Sequence, residues 1–149
     1  MLALDTDVLV HWANADGEHH ASVVSTIADE LSQPTGKLAL TPQCCWEFIH
    51  VVTDGRRFDR PLEMKDALHR VRRWWDAPEV KRVPQDPSVV HHALELMEVH
   101  RLGRRRILDT VLATTLGAAG IRRLATLNGR DFAPFDFIEV VDPRVLAHP

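Results

Sequence analysis

The sequence predicts an α/β fold of three layers, in which a central, mainly parallel sheet lies between two layers of helices. Short apolar runs typical of buried strands alternate along the chain with amphipathic helical patterns. Acidic or amide side chains follow several of these runs, and in a parallel sheet such side chains meet at the carboxyl ends of the strands. The chain has 149 residues, 45% of them hydrophobic. No internal repeat or long linker divides it, so we expect one domain over residues 1–149.

The first part of the chain predicts a strand, a helix and a second strand. An apolar run over residues 2–10 is interrupted by the polar segment 5–7, which indicates a buried strand that ends at the acids. Apolar residues recur at helical spacing over 20–33, and the segment 34–36, which contains Pro and Gly, ends that helix. Residues 37–40 then predict the second strand.

The middle of the chain predicts three helices and a short connection. Thr41 followed by Pro42 is typical of a helix start, and an apolar face continues from there to residues 54–55. A second helical pattern covers 61–78, and residues 81–84 predict a short extended connection. A third helix is expected over 86–103, because Asp and Pro at its beginning and Gly at its end are typical boundary residues.

The last part of the chain predicts one more helix and two strands. Residues 107–119 are apolar on nearly all sides, and Gly120 ends this helix. The segments 122–127 and 137–141 have the composition of strands. Strands therefore alternate with helices along most of the chain, which favours a parallel sheet with helices on both faces.

Composition excludes several classes of protein. The formal net charge is −3, from 18 Lys and Arg against 21 Asp and Glu, and this average argues against a protein that coats nucleic acid without sequence preference. The longest uncharged stretch, 110–121, is too short to span a bilayer, and Asp5 interrupts any signal peptide, so we expect a cytoplasmic protein without a membrane partner. Cys44 and Cys45 are adjacent and are expected to be reduced and packed.

Five acidic or amide residues stand where strands are predicted to end or helices to begin: Asp5, Glu47, Asp109, Asn128 and Asp131. A carboxylate such as Asp109, with apolar neighbours on both sides, is costly to bury unless a cation or hydrogen-bond donors compensate its charge. Converging carboxylates would raise one another's pKa, and Mg²⁺ or Mn²⁺, which prefer oxygen ligands, would neutralise them. Such a cluster suits the activation of water for attack on a phosphodiester.

Four segments of the chain resemble the motifs of PIN domains, in order and at matching intervals. They are Leu4–Val10, Thr41–Phe48, Leu108–Leu116 and Thr126–Phe132. The length of the chain is similar to that of the VapC toxins of prokaryotic toxin–antitoxin pairs. This resemblance implies a PIN-like α/β/α fold and a Mg²⁺- or Mn²⁺-dependent endoribonuclease.

The resemblance also implies which residues form the site. Catalytic roles fall to Asp5, Glu47, Asp109 and Asp131, and the implied metal ligands are these four and Asn128. The sequence departs from the fullest PIN pattern at the fourth position, where Asn128 replaces Asp and brings no charge. Either Asp131 supplies the missing carboxylate, or Asp131 and Phe132 form a structural end of the motif with Phe132 in the core.

Several neighbouring residues leave two interpretations open. Asp7 stands where VapC toxins commonly carry Asn or Ser, and it either joins the site or, as we favour, caps the following turn. The arginine run before Asp109 (Arg101, Arg104, Arg105 and Arg106) either contributes an RNA phosphate contact or forms a solvated helix end. The nine histidines are expected at the surface, because their spacing fits no closed zinc site.

The resemblance implies a cognate VapB-type antitoxin that blocks the acidic crevice with a basic side chain, and an RNA substrate. Apolar helices around 23–31 and 46–52 suit an antitoxin groove or a homodimer face, or else pack against the sheet. One alternative function is a haloacid-dehalogenase-type phosphatase, whose two-aspartate motif resembles residues 5–9; that class also needs a late Lys, and the last one here is Lys81. The other is a catalytically weakened α/β binding module.

Overall fold

A computed structural model describes residues 1–145 of the chain. It contains a five-stranded sheet in which every pairing is parallel. The strands are β1 (Leu2–Leu4), β2 (Leu38–Leu40), β3 (Val80–Arg82), β4 (Arg123–Ala125) and β5 (Glu139–Val141). Their order across the sheet is β3-β2-β1-β4-β5. The predicted parallel sheet is confirmed.

Helices cover both faces of this sheet. They are α1 (Thr6–Ala13), α2 (His20–Ser32), α3 (Pro42–Val52), α4 (Met64–Trp75), α5 (Ser88–Val99), α6 (Ile107–Ala118) and α7 (Gly129–Phe132). Helices α1 to α4 contact one another in one group, and α5 to α7 in another. Because crossovers between parallel strands are right-handed, the first group lies on one face and the second on the other. The predicted three-layer α/β/α architecture is therefore confirmed.

One local prediction needs correction. Val80–Arg82, in a region predicted as a connection, forms the edge strand β3, whose charged and exposed side chains give no apolar signal. The predicted buried strand that ends at the acids is confirmed as β1, and residues 8–10 lie in α1, because the chain turns at Asp5. The short helix α7 was not predicted, because its Asn-Gly start is typical of a turn.

The core lies between the sheet and the two helical layers. β1 and β2 are buried along their whole length, and Leu9, Phe48 and Leu116 bring α1, α3 and α6 against them. Both cysteines are buried and free, as predicted. The prediction of a single domain extends to residues 146–149, which lie outside the described residues. Over residues 1–145, no helix is long and apolar enough to cross a membrane.

The strand register determines which residues meet at the carboxyl end of the sheet. Leu4 of β1 pairs with Ala125 of β4, so Asp5 and Thr126 leave adjacent strands side by side. From β1 the chain continues to β2 on one side, whereas from β4 it continues to β5 on the other side. The gap between β1 and β4 is therefore the switch point at which α/β sheets form ligand crevices.

Candidate active site

A cleft of about 280 Å³ opens at this switch point. Four carboxylates line it: Asp5, Asp7, Glu47 and Asp109. Asn128, from the turn after β4, also lines it. The structure thus brings together four of the five residues that the sequence singled out, and adds Asp7. We call this cavity the acidic cleft.

Asp5 is the most deeply placed of these carboxylates. Its Oδ1 accepts a hydrogen bond from the Thr6 N–H (2.7 Å), and its Oδ2 accepts one from the buried Thr126 hydroxyl (2.8 Å). Burial, followed by the charge of Asp7, raises the pKa of Asp5 to about 7, although the two hydrogen bonds oppose this rise. Because both donors are neutral, they compensate only part of a negative charge at this position.

Asp7 joins the site, which was the less favoured of its two interpretations. Its Oδ2 accepts hydrogen bonds from the Leu127 N–H (3.0 Å) and the Asn128 Nδ2 (2.9 Å), while the N-cap of α1 is Asp5. Its Oδ1 is buried and has no hydrogen-bond partner within residues 1–145. Burial raises the pKa of Asp7 to about 6 despite these hydrogen bonds. Asp7 thereby ties α1 to the turn after β4.

Glu47 is held in place by two side chains. Its Oε2 accepts a hydrogen bond from the Thr6 hydroxyl (3.2 Å), and its Oε1 accepts one from the Gln43 Nε2 (2.7 Å). The same Gln43 amide donates to the Leu108 carbonyl oxygen (3.0 Å), next to Asp109. Gln43 therefore links α3 to the start of α6. Gln43 was not among the predicted site residues, because the only sequence feature that indicates its role is its spacing of one helical turn from Glu47.

Asp109 and Asp131 share one arginine. The Arg106 Nη1 lies 3.5 Å from Asp109 Oδ2 and forms an ion pair with Asp131 Oδ1. Burial and then the charge of Asp131 raise the pKa of Asp109, while Arg106 lowers it. Asp131 does not line the acidic cleft but lies beside it, and Phe132 is buried in the core. Of the arginine run, Arg101, Arg104 and Arg105 are exposed.

The histidines were predicted to lie at the surface, but three of those described are half-buried, and one of the three lines the acidic cleft. His11 is half-buried and lines the acidic cleft, with its ring centroid 5.1 Å from that of His19. Its Nδ1 is buried and unpaired in the described part of the chain, and burial lowers its pKa. His19 and His20 are also half-buried. The histidines that are exposed as expected are His50, His69, His91, His92 and His100; His148 lies outside the described residues.

The residues of the acidic cleft fit a divalent cation with oxygen ligands. The buried Asp7 Oδ1 lacks a partner, and Asp5 receives only neutral donors while other carboxylates raise its pKa. Asp5, Glu47, Asp109 and Asn128 supply the hard oxygen atoms that such an ion prefers. Within residues 1–145, no three acidic, His or Cys side chains are already grouped as ligands of one ion. Binding would therefore require some of these side chains to reorient.

The raised pKa values give a first prediction for the metal-free protein. Asp5 and Asp7 bind protons more tightly in the folded than in the unfolded chain, so their contribution to the free energy of unfolding should fall as the pH rises from about 4 to about 7. We expect Asp5→Asn to raise the free energy of unfolding by about 1–3 kcal/mol near pH 8 in EDTA, because it removes a poorly compensated charge.

Urea denaturation at acidic and at alkaline pH measures this effect. The exposed Asp16 provides a matched control, and Asp16→Asn should follow the wild type at both pH values. An identical change in the free energy of unfolding over this pH range for the wild type and Asp5→Asn would contradict the burial of the Asp5 charge. So would an Asp5→Asn variant less stable than the wild type near pH 8.

Comparison with known proteins supplies independent findings on the chain. The family model described as "PIN domain" matches residues 2–138. The chain is 27% identical to a protein named Ribonuclease VapC24 from Mycobacterium tuberculosis, with 96% of this chain and 97% of that protein covered. The match therefore spans nearly the full length of both proteins.

Solved structures resemble the fold over most of the chain. The toxin VapC20 of Mycobacterium tuberculosis, described as cleaving the sarcin-ricin loop, has a TM-score of 0.70 at 16% identity, with 91% of this chain and 95% of that chain covered. FitAcB of Neisseria gonorrhoeae has a TM-score of 0.67 at 19% identity, covering 98% and 100%. A toxin–antitoxin complex from Klebsiella pneumoniae has a TM-score of 0.64 at 15% identity, covering 96% and 98%.

Proposed function

Since this chain belongs to the PIN domain family, we propose that it is a Mg²⁺- or Mn²⁺-dependent endoribonuclease and the toxin of a toxin–antitoxin pair. One observation carries the proposal: half-buried carboxylates line a cleft at the switch point of the sheet, and Asp5 among them has only neutral donors. The full-length similarity to a ribonuclease of the VapC type supports it further.

The acidic and amide side chains at the acidic cleft each have a role in this proposal. Asp5, Glu47, Asp109 and Asn128 would hold the divalent ion, which supplies Lewis-acid stabilisation of the phosphodiester and an activated water. Asp131 acts from outside the cleft, since Arg106 connects it to Asp109. With the ion bound by these residues, the scissile phosphate could approach a surface that is otherwise negatively charged and repulsive.

Thr126 and Asp7 hold residues of the acidic cleft in position through hydrogen bonds. The Thr126 hydroxyl donates to Asp5 and accepts from the backbone N–H of Asn128 (3.0 Å), so it fixes the Asp5 side chain relative to the turn after β4. Asp7 holds the same turn through Leu127. Such outer hydrogen bonds orient the groups that would bind the ion.

Gln43 positions Glu47 in this scheme, which gives a second prediction. Gln43→Ala should lower kcat for RNA cleavage by about 10-fold with little change in KM, because outer-shell partners orient the ligands rather than bind RNA. Steady-state cleavage of an RNA oligonucleotide measures both constants. The exposed Gln33 serves as a control, and Gln33→Ala should behave as the wild type. An unchanged kcat in Gln43→Ala would show that Glu47 needs no such support.

A small antitoxin is the protein partner that this function requires. Among the structural neighbours, one is itself a toxin–antitoxin complex, and an apolar groove of about 400 Å³ runs between α3 and α4 of this chain. Trp46, which is 65% exposed, and Trp75 line this groove. A partner with an apolar segment for the groove and a basic side chain for the acidic cleft would block both surfaces. Inhibition of RNA cleavage by such an antitoxin would test the proposed partner.

We also propose that the protein forms a homodimer. Val90 and Leu94 of α5 and Ile107 and Leu108 of α6 are large apolar side chains between 44% and 56% exposed on adjoining helices. Apolar surface of this kind is typical of subunit interfaces. Sedimentation of the isolated chain should give a dimer, and a stable monomer would contradict this proposal.

An activity assay tests the function as a whole. The wild type should cleave single-stranded RNA in Mg²⁺, should lose this activity in EDTA, and should not hydrolyse p-nitrophenyl phosphate. Phosphomonoester hydrolysis without RNA cleavage would favour the haloacid-dehalogenase alternative, which draws on the presence of Asp5 and Asp7 in one cleft. The absence of both activities would favour a binding module.

A further inference from the structure

One wall of the acidic cleft carries a cationic side chain among the acids. Arg57, from the loop after α3, lines the cleft together with His11 and Val51. The carboxylates enter instead from the strand ends and from the starts of α1 and α6 and the middle of α3. Arg57 is the only arginine or lysine in the described lining of the cleft.

The guanidinium of Arg57 is nearly free of protein partners. Its nearest acid is Asp54, at 3.8 Å, which is too long for a hydrogen bond. Asp54 is instead engaged by Arg56 through the backbone N–H (2.9 Å), Nε (3.0 Å) and Nη2 (3.0 Å). The Arg57 side chain is 59% exposed and donates no side-chain hydrogen bond within residues 1–145. Its fork of donors is thus available to a ligand.

Two other arginines near the cleft, Arg106 and Arg144, already make ion pairs. Arg106 is paired with Asp109 and Asp131. Arg144 makes a two-pronged ion pair with Asp142 and donates to the Leu127 carbonyl oxygen (2.9 Å). Each of these two guanidinium groups already has part of its charge and of its donors committed to protein partners. Arg57 has no comparable contact to give up.

An RNA strand that enters the acidic cleft needs such a cation. Carboxylates repel phosphates, and a divalent ion at the acids would offset that repulsion only at the scissile group. A guanidinium binds a phosphate through two parallel hydrogen bonds, and a partly desolvated position at the wall of a cleft strengthens them.

We propose that Arg57 binds a backbone phosphate of the RNA adjacent to the one that is cleaved, and so positions the strand over the acids. This inference rests on the proposed ribonuclease function and adds to it a substrate-binding residue. Arg57 contacts the substrate but takes no part in bond breaking, so it should affect KM and not kcat.

Steady-state kinetics and RNA binding test the proposal together. Arg57→Gln should raise KM for a single-stranded RNA by about 10-fold, since a hydrogen-bonded charge is lost, and should change kcat by less than about 2-fold. Binding of a fluorescein-labelled RNA is measured over a series of KCl concentrations in an Asp5→Asn background, which is expected not to cleave. The slope of log Kd against log salt should fall by about 0.7 for one lost phosphate contact on a single strand.

Two further variants make the test specific. Arg60 lies in the same loop, is exposed and lines a separate groove of about 80 Å³, so Arg60→Gln removes the same charge without touching the cleft and should match the wild type. Arg57→Lys should restore the salt slope but only part of the affinity, because an ammonium lacks the fork geometry. The melting temperature should be equal in all variants.

Two results would overturn the inference. If the wild type cleaves RNA and Arg57→Gln has the KM and salt slope of Arg60→Gln, Arg57 is not a phosphate ligand, while the ribonuclease function stands. If the wild type neither cleaves nor binds RNA, the inference fails together with the function on which it rests.

Discussion

Asp5→Asn is expected to abolish RNA cleavage, with a loss of at least about 10³-fold in kcat/KM. The substitution preserves the size of the side chain and the hydrogen bond from Thr6, but it removes the charge that would bind the divalent ion. Because the metal-free variant should be at least as stable as the wild type, the loss cannot result from unfolding. Cleavage of a labelled RNA in excess Mg²⁺, with melting curves of both proteins, measures the effect.

Asp59→Asn is the matched control for this experiment. Asp59 is exposed, lies in the loop after α3 and does not line the acidic cleft, so its substitution should leave cleavage unchanged. Retention of RNA cleavage by Asp5→Asn to within about 10-fold of the wild type would remove Asp5 from the chemistry. The proposed site would then lack the carboxylate on which binding of the divalent ion most depends.

Mg²⁺ is expected to stabilise the wild type far more than Asp109→Asn. A ligand that binds only the folded state at 100 times its Kd adds about 2.7 kcal/mol. For a chain of this length that corresponds to a rise of roughly 5–10 °C in melting temperature. Asp109 is half-buried, and its pKa is raised by burial and by the charge of Asp131. A bound divalent ion would offset the repulsion between these two carboxylates.

Melting curves in EDTA and in Mg²⁺ give the comparison. Asp136→Asn serves as the control, because Asp136 is exposed and does not line the cleft. It should show the same increase as the wild type. An equal increase in Asp109→Asn would exclude Asp109 from ion binding.

Much of the fold could be predicted because local signals agree with the tertiary arrangement. The Thr41-Pro42 pair does start α3, with the Thr41 hydroxyl accepting a hydrogen bond from the Cys44 N–H (3.2 Å). Gly120 does end α6, at a φ of +70° that favours glycine. The edge strand β3 could not be predicted, since its three residues include two consecutive exposed charged side chains and therefore show no alternating apolar pattern.

The site was predictable where residues follow strand ends and not where contacts cross the chain. Asp5 could be placed from the apolar run before it. The role of Asp7 depends on the turn at Leu127 and Asn128, more than a hundred residues away, and nothing local indicates it. Gln43 meets the Leu108 carbonyl oxygen, 65 residues further along the chain. These contacts exist only once the strand register of β1 and β4 is formed.

The choice between Asn128 and Asp131 also depended on a distant residue. Asn128 lines the acidic cleft and donates to Asp7, whereas Asp131 points to Arg106, in the 3₁₀ turn before α6. An isolated motif cannot reveal that pairing. Of the two alternatives, the structural end of the motif has Phe132 packed in the core, whereas Asp131 lies outside the cleft and acts on it through its charge on Asp109.

In this proposal a divalent ion compensates the charge of the Asp5 carboxylate. Calorimetric titration of Mg²⁺ near pH 6.5 in two buffers of different ionisation enthalpy tests this, because it counts the protons released on binding. With a pKa of about 7, Asp5 is largely protonated there, so the wild type should release about 0.5–1 proton per ion bound. Asp5→Asn should bind Mg²⁺ more weakly and release fewer protons. Equal affinity and equal proton release in the two proteins would contradict the claim.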